Sequence, residues 1–369
     1  MLPEKLITII NILLINLYIY FLKFILNKKI IFAFHPRKNL TKIHIKYIEN
    51  LLNDFSRDYF FLSGHVESKI KKKNFFFIKE GALKNIYNVD IFLSHNICVD
   101  FPPNCKKIYF HHDVYDSPLC SKKNEKNLFN KIKVYDYLYL ANDISVKMFQ
   151  KLFKKYSKIN DNNLPKLENA GYYKLDFLKK RINKKRLINN NVIIAITLIK
   201  HIENLSIIKS LDKLVDFLFK FSSFNIILRP HPRDRDNKVI RYLNKKHLNN
   251  NRFIFDESDD YFKTYSNTKF LITDSSGTAY TYAFFTERPV IFFMQNQKTI
   301  RYNNFNDLSY FKDRNKIGSV VNNFKKLKYI IQNIDKMTLK IKKSNKKLQK
   351  KMVYLNKSKK RIHKLLKNL

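Results

Sequence analysis

Two stretches decide how this chain is read: Asn225-Ile-Ile-Leu-Arg229, which runs into Pro230-His231-Pro232-Arg233-Asp234, and Lys269-Phe-Leu-Ile-Thr273, which runs into Asp274-Ser275-Ser276-Gly277. Each is a short apolar run that stops at a polar turn, the pattern of a buried strand. In an open α/β sheet, ligands sit outside the carboxyl ends of the strands, so the two turns converge on one crevice. A helix expected from Ser276 onward presents free backbone N–H groups and the positive end of its dipole. Thr273, Ser275 and Ser276 add hydroxyl donors, Asp274 and Gly277 complete the turn, and Arg229 and Arg233 flank the His231 turn with positive charge. Together they form a diphosphate cradle without a Walker lysine. Asp274 and Ser275 are also ordinary helix caps. The His-Pro turn beside them favours the ligand reading.

Working outward, strands and helices alternate. Strands are expected at 30–34, 59–62, 90–94, 107–110 and 136–140, with helices near 40–53, 81–87 and 144–155. A second set has strands at 192–197, 224–229, 252–255, 270–273 and 290–293, with helices at 205–220, 238–247 and 278–285. Alternation argues for parallel sheets, and two sets argue for an α/β protein of two Rossmann-like domains facing across a cleft. The expected divisions are an apolar segment 1–29, a first domain 30–165, a nucleotide-binding domain 166–320 and a basic helical tail 321–369, with 157–167 as hinge.

Composition narrows the partners. The chain has 369 residues, 45% hydrophobic, enough for two ordinary cores. Its formal charge of +42 invites a nucleic-acid reading. Yet lysine outnumbers arginine and comes with abundant Asn, Ile, Phe and Tyr, the bias of an A/T-rich genome. Lysine is also the poorer residue for bidentate phosphate reading. No nucleic-acid motif is present, and no specific nucleic-acid partner is expected. Cys98, Cys105 and Cys120 are scattered, which suits a reducing cytoplasm.

Residues 6–26 are almost continuously apolar, broken by Thr8, Asn11, Asn16 and Lys23 and followed by Lys28-Lys29. The length just suffices to span a bilayer, while the polar breaks also suit a helix lying in the interface. Ala33 is the nearest small residue for a signal-peptide cleavage site, so cleavage is disfavoured. The basic flank places the body on the cytoplasmic face of the cell membrane. At the other end, 336–369 reads as a basic amphipathic helix suited either to packing or to an anionic membrane surface.

Gly171-Tyr-Tyr-Lys-Leu-Asp176, Arg229-Pro-His-Pro232, Thr273-Asp-Ser-Ser276 and Arg288-Pro289-Val-Ile291, in that order, resemble the motifs of the CDP-glycerol:poly(glycerophosphate) glycerophosphotransferases, which build teichoic-acid-like and capsular polymers. The resemblance covers roughly 107–293. It implies a glycosyltransferase-B-type fold at the membrane and transfer of glycerol phosphate, or a related polyol phosphate, from a CDP-activated donor to a polymer or lipid-linked hydroxyl, with release of CMP. By position, Thr273, Ser275 and Ser276 would hold the donor diphosphate and His231 would contact the transferred phosphoryl group. No cofactor is implied.

The family's His-Gly turn and following lysine are replaced here by Phe110-His111-His112-Asp113-Val-Tyr-Asp116. One of His111 and His112 is the candidate general base, and His112, nearer the turn, is favoured; the other is expected in the core. A metal held by His111, His112, Asp113 and Asp116 is disfavoured, because neighbours on a strand point to opposite faces. His35-Pro36-Arg37, at the end of the first expected strand, reads as a simple turn in preference to another polar contributor to the cleft. The rival enzyme reading is a nucleotide-sugar-dependent glycosyltransferase of surface polysaccharide synthesis. A related sugar-nucleotide 2-epimerase would want acidic residues on the helix after Gly277, where Thr278-Ala-Tyr-Thr-Tyr-Ala283 has none.

Overall fold

The fold is seen in a computed structural model, which describes residues 4–27, 31–35, 41–52, 59–63, 75–78, 80–95, 97–98, 100–111, 113–115, 122–158, 163–181, 190–199, 205–258, 261–296, 309–352, 354 and 356–369. The chain divides into two compact units. Unit 1 takes Met1–His112, Lys126–Tyr173 and Asn356–Leu369; unit 2 takes Asp113–Glu125 and Lys174–Leu355.

Unit 1 is built on β1 (Phe32–His35), β2 (Tyr59–Ser63), β3 (Phe75–Phe77), β4 (Ile91–Ser94), β5 (Lys106–Phe110), β6 (Tyr137–Leu140) and β7 (Lys166–Asn169). They pair in parallel in the order β3-β2-β1-β4-β5-β6-β7. Unit 2 is built on β8 (Asn191–Ala195), β9 (Asn225–Arg229), β10 (Phe253–Phe255), β11 (Thr268–Thr273), β12 (Val290–Phe293) and β13 (Gly318–Val321), ordered β10-β9-β8-β11-β12-β13 and again parallel. Both orders reverse direction once, between β1 and β4 and between β8 and β11, which is the doubly wound topology with its ligand-prone switch point. Central strands such as Asn-Val-Ile-Ile-Ala in β8 and Val-Ile-Phe-Phe in β12 are buried throughout, because helices cover both faces of a parallel sheet.

Three strands depart from expectation. β3 and β13 were not anticipated, and β7 occupies the end of the expected hinge. Lys-Leu-Glu-Asn has three polar residues in four because β7 is an edge strand beside β6 alone. Unit 1 therefore continues to Tyr173, and unit 2 begins at Lys174. At this junction Gly171 has φ +81°, and a Cβ there would come 2.7 Å from Ser358 Oγ, so the first motif position accepts only glycine.

The apolar N-terminal segment forms α1 (Glu4–Tyr20) and a π-helical turn, Phe21–Ile25. One face is docked: Ile15, Ile19 and Leu22 join a core cluster with Ala33, Ile86 and Phe92. Asn16 donates to Asn85 O and accepts from Tyr87 N, each at 2.9 Å, and Lys23 pairs with Asp90 at 2.8 Å. The other face is apolar and open, with Leu17 67% and Phe24 63% exposed. By length and composition Lys5–Ile25 could cross a membrane.

The expected tail is divided. The helix Ile334–Met352 buries Met337, Ile341, Leu348 and Met352 in unit 2, and the helix Ser358–Lys367 belongs to unit 1, where His363 Nε2 lies 2.7 Å from Leu51 O. The lysines of Ile334–Met352 take the outer face, the arrangement in which long cationic side chains cost least.

Candidate functional site

Three strand ends of unit 2 meet on one short loop after β8. Asp274, just past β11, accepts hydrogen bonds through Oδ1 from Thr197 N at 3.0 Å, Thr197 Oγ1 at 2.7 Å and Ser275 N at 2.7 Å. Asp234, in the turn after β9, accepts from Ile199 N at 2.9 Å. Residues 197–199 thus hold the Asp274–Gly277 turn and the His231 turn in fixed relation. Burial drives the Asp274 carboxyl above the usual range, with hydrogen bonds from Thr197, Ser275 and Ile207 pulling the other way. Thr273 is also framework, its hydroxyl donating to Ala195 O at 2.6 Å.

Buried polar groups remain over. Ser275 Oγ and Asp274 Oδ2 have no hydrogen-bond partner among the described residues. Native proteins rarely leave such groups unmatched, so a polar ligand is the natural complement. They lie at the start of α9 (Thr278–Thr286), whose residues Ala279 to Phe285 are all buried and whose N-cap, Gly277, makes no side-chain capping bond. Ser276 shapes this end, its carbonyl accepting from Tyr310 Oη at 2.9 Å. At the other end, Asn345 donates to Ala283 O at 2.9 Å and Gln349 to Phe284 O at 2.8 Å, so buried side chains reach the carbonyls of the last turn.

His231 is half-buried and caps the short 3₁₀ turn Pro232–Asp234, its Nδ1 accepting from Arg233 N at 3.2 Å. That bond assigns the neutral ring's proton to Nε2. Arg233 is exposed. Arg229 is not: its guanidinium donates to Asp256 Oδ2 at 2.7 Å, Ser258 Oγ at 3.1 Å and Ser258 O at 2.8 Å, bracing the exit of β9 against that of β10. Burial opposes ionisation of Asp256, but Arg229 and hydrogen bonds from Ser258 and Thr264 outweigh it and lower its pKa. Of the expected donor-site residues, Arg229, Thr273 and Asp274 therefore build the scaffold, and Ser275, Ser276 and Gly277 form the turn that faces α9.

The segment Asp113–Tyr115 also belongs to this site. Tyr115 is buried, stacks edge-on against Tyr280 at 4.5 Å and donates to Asp313 Oδ2 at 2.5 Å. Asp113 lies against Gly277: a Cβ on that glycine would come 3.1 Å from Asp113 Oδ2 and 3.4 Å from its Cγ. Gly277, at φ −58°, is in ordinary helical backbone, so what favours glycine there is the close approach of Asp113 and not backbone conformation. Sequence reading missed both this contact and the anchoring roles of Thr197 and Asp234. A threonine ending a buried strand is a weak signal, and the placement of Asp113 is purely tertiary.

At the carboxyl edge of unit 1, His111 is 4% exposed and packs edge-on near Phe149, 6.5 Å between ring centres, in keeping with a core-facing member of the histidine pair. His112 and Asp116 lie outside the described residues, as do Pro36, Arg37 and Cys120. His95, which sequence reading passed over, is buried, with Nδ1 donating to Phe110 O at 2.7 Å and Nε2 meeting the Tyr47 hydroxyl. Cys98 and Cys105 are free and buried, and burial pushes the Cys105 thiol up to about 12. Among the described residues, the group with ligand atoms close enough for a cation is Asp212, Asp216 and His247, within 4.8 Å of one another. There Lys246 Nζ sits 2.7 Å from a carboxylate oxygen of each aspartate and already supplies the positive charge.

With this geometry in hand, comparison with known proteins is decisive at the level of family. The family model described as CDP-Glycerol:Poly(glycerophosphate) glycerophosphotransferase matches residues 108–368, and the chain belongs to that family. Among solved structures, the wall teichoic acid polymerase TagF, in a form soaked with CDPG, aligns with a TM-score of 0.65 at 16% identity over 99% of this chain and 96% of its own. A putative UDP-N-acetylglucosamine 2-epimerase from Listeria monocytogenes aligns at TM-score 0.55 and 12% identity, covering 92% and 96%. The S. aureus MnaA-UDP co-structure aligns at 0.54 and 12%, covering 85% and 91%. At these identities the likeness is one of fold. Curated proteins yield no match.

Proposed function

We infer that this chain transfers glycerol phosphate from CDP-glycerol to a hydroxyl of a cell-surface polymer or lipid-linked acceptor, releasing CMP. The observation that carries the reading is the unsatisfied Ser275 hydroxyl at the amino end of α9, braced through loop 197–199 to the His231 turn in a chain of this family. Backbone N–H groups, the helix dipole and the serines hold the diphosphate. The acceptor oxygen attacks the phosphorus bearing glycerol, the phosphoanhydride P–O bond breaks, and its electron pair leaves on the CMP phosphate. His231 Nε2–H donates to an oxygen of the transferred phosphoryl group as charge develops. His112 takes the acceptor proton, a role worth ~10²–10⁴ in rate. His111, in the core, supports the strand end.

We place the protein on the cytoplasmic face of the membrane. The docked α1 leaves an apolar face for the acyl boundary, and the lysine-rich helices favour anionic headgroups. Because the apolar face of Ile334–Met352 is buried in unit 2, that helix contributes charge alone. The sugar-nucleotide 2-epimerase reading shares the fold, but it wants acidic residues on α9, which carries none. Incubating the protein with a panel of CDP- and UDP-activated donors tests the proposal: CMP release from CDP-glycerol is expected, and UDP release from a UDP-sugar would replace it.

A further inference from the structure

Arg314 is 7% exposed, and among the described residues no carboxylate pairs with it. Its Nε donates to Phe311 O at 3.2 Å and its Nη1 to Met294 Sδ at 2.7 Å, while the guanidinium lies over the Phe311 and Phe292 rings at 5.0 and 5.7 Å. The acid next to it in sequence is engaged elsewhere: Asp313 Oδ2 accepts from Tyr115 Oη at 2.5 Å, and Asp313 Oδ1 pairs with Lys316 at 2.6 Å. Burial pushes the guanidinium pKa down, with Tyr310 and Tyr280 pulling the other way. Arginine nevertheless stays charged at neutral pH. A buried charge is ordinarily paired, and one that meets only a carbonyl, a thioether and two ring faces is costly until an anion completes it.

This arginine stands at the carboxyl edge of the six-stranded sheet. Met294 directly follows β12, and Phe292 is in register with Thr273 of β11, the residue before the Asp274–Gly277 turn. The Phe292 ring lies 6.5 Å from that of Tyr310, whose hydroxyl donates to Ser276 O at 2.9 Å. One group of aromatic rings therefore supports both Arg314 and the cradle turn. Arg229, the buried arginine that the sequence offers for the diphosphate, is already neutralised by Asp256. We propose that Arg314 is a donor-binding residue, its guanidinium holding a phosphate oxygen of the CDP-activated donor. This deepens the functional reading and rests on it. Because the guanidinium has given up most of its water on folding, little desolvation is left to oppose a phosphate, and a charge-assisted hydrogen bond forms where the protein has left one unmade.

The test is calorimetric titration of the full chain with inorganic pyrophosphate, CDP-glycerol and glycerol 3-phosphate, on the natural protein and on Arg314→Met, beside thermal melts. Methionine removes an unpaired buried charge and keeps much of the apolar stem, so Tm is expected to hold or rise. Pyrophosphate and CDP-glycerol are expected to bind roughly tenfold to a hundredfold more weakly, the worth of hydrogen bonds to a charged group, with glycerol 3-phosphate unaffected. Arg314→Lys keeps the charge without the planar fork and should recover part of the lost affinity. If the methionine variant does not fold, the lysine variant carries the readout, with weaker binding of both diphosphates than the natural protein shows. A fall in Tm with unchanged pyrophosphate and CDP-glycerol affinity overturns the proposal and makes Arg314 a packing residue. Loss of glycerol 3-phosphate binding with CDP-glycerol binding unchanged overturns it in favour of an acceptor phosphate. Weaker pyrophosphate binding in the variants, with no binding of CDP-glycerol to any form, would keep the anion site and sink the donor reading. Failure of every form to bind any probe would overturn both.

Discussion

At the carboxyl edge of the seven-stranded sheet, His35 ends β1 while His95 and His111 follow β4 and β5, and all three are buried. His95 is held through both ring nitrogens, and His35 Nδ1 lies 3.4 Å from Cys98 Sγ. At the same edge of the six-stranded sheet, His231 is half-buried and Ser275 Oγ is buried but unmatched. Both sheets share one topology, so topology alone does not decide which edge is a site. The difference lies in where the hydrogen bonds end. In unit 1 His95 and His35 close on their own framework, on Tyr47, the Phe110 carbonyl and Cys98. In unit 2 the framework groups Thr273, Asp274 and Arg229 carry the load, and the Ser275 hydroxyl beside them has no hydrogen-bond partner among the described residues.

The largest effect that could break this contrast is on rate. His231→Ala should lower kcat and kcat/KM together by ~10²–10⁴, with donor affinity and Tm nearly unchanged, the pattern of an interaction made in the transition state. His95→Ala should do the reverse, losing stability by leaving Tyr47 and the Phe110 carbonyl unmatched in the core. Steady-state kinetics beside thermal melts measures both. A large drop in Tm for His231→Ala would put it with the framework.

Next comes the buried Arg229–Asp256 pair. Asp256→Asn strands the arginine charge and should cost ~3–5 kcal/mol of stability. The sign with pH follows from the lowered Asp256 pKa. Its contribution is complete above the unfolded value of about 3.9 and is lost as pH falls through the lower folded value. Urea unfolding from neutral to strongly acidic pH should therefore show a step in the natural protein that Asp256→Asn lacks. Identical pH profiles would mean that the pair is idle.

A third contrast sits within α1. Ile19→Ala, on the docked face, should cost ~2–5 kcal/mol through the cavity it leaves. Leu17→Ser and Phe24→Ser, on the open face, should leave urea midpoints almost unchanged while weakening sedimentation with anionic vesicles. Equal destabilisation by both sets would mean that the open face is covered in the folded protein. The smallest effect belongs to Ser275→Ala. Its hydroxyl has no partner to lose among the described residues, so stability should shift by less than the roughly 1 kcal/mol of a capping serine, while CDP-glycerol affinity falls. A fall in Tm with unchanged affinity would reduce Ser275 to a cap.

What could be read in the sequence follows the same physics. The runs of β8, β9, β11 and β12 stand out because strands buried on both faces must be continuously apolar. Of the four edge strands, β10 was legible but β3, β7 and β13 were not, since three or four residues paired on one side need no such run. Ser275, Ser276 and His231 were legible as polar turns ending apolar strands. Thr273, Asp274 and Arg229 carried the same local signal but point into the framework, a distinction that depends on partners such as Ala195, Thr197 and Asp256 far along the chain. Asp113 was visible as a departure from the family's glycine, but its seat on Gly277 is a long-range contact with no local pattern. The lysine period of the last helices was equally visible. Asn345 and Gln349, which cap α9 from the buried face, were not separable from the polar residues around them.

The most direct test of the account follows the products of CDP-glycerol turnover by mass spectrometry, with a glycerol-phosphate-primed lipid acceptor in vesicles. The account predicts equimolar CMP and acceptor molecules heavier by whole glycerol phosphate units. Release of CDP with transfer of unphosphorylated glycerol, or no turnover of CDP-glycerol alongside turnover of a UDP-sugar, would contradict it.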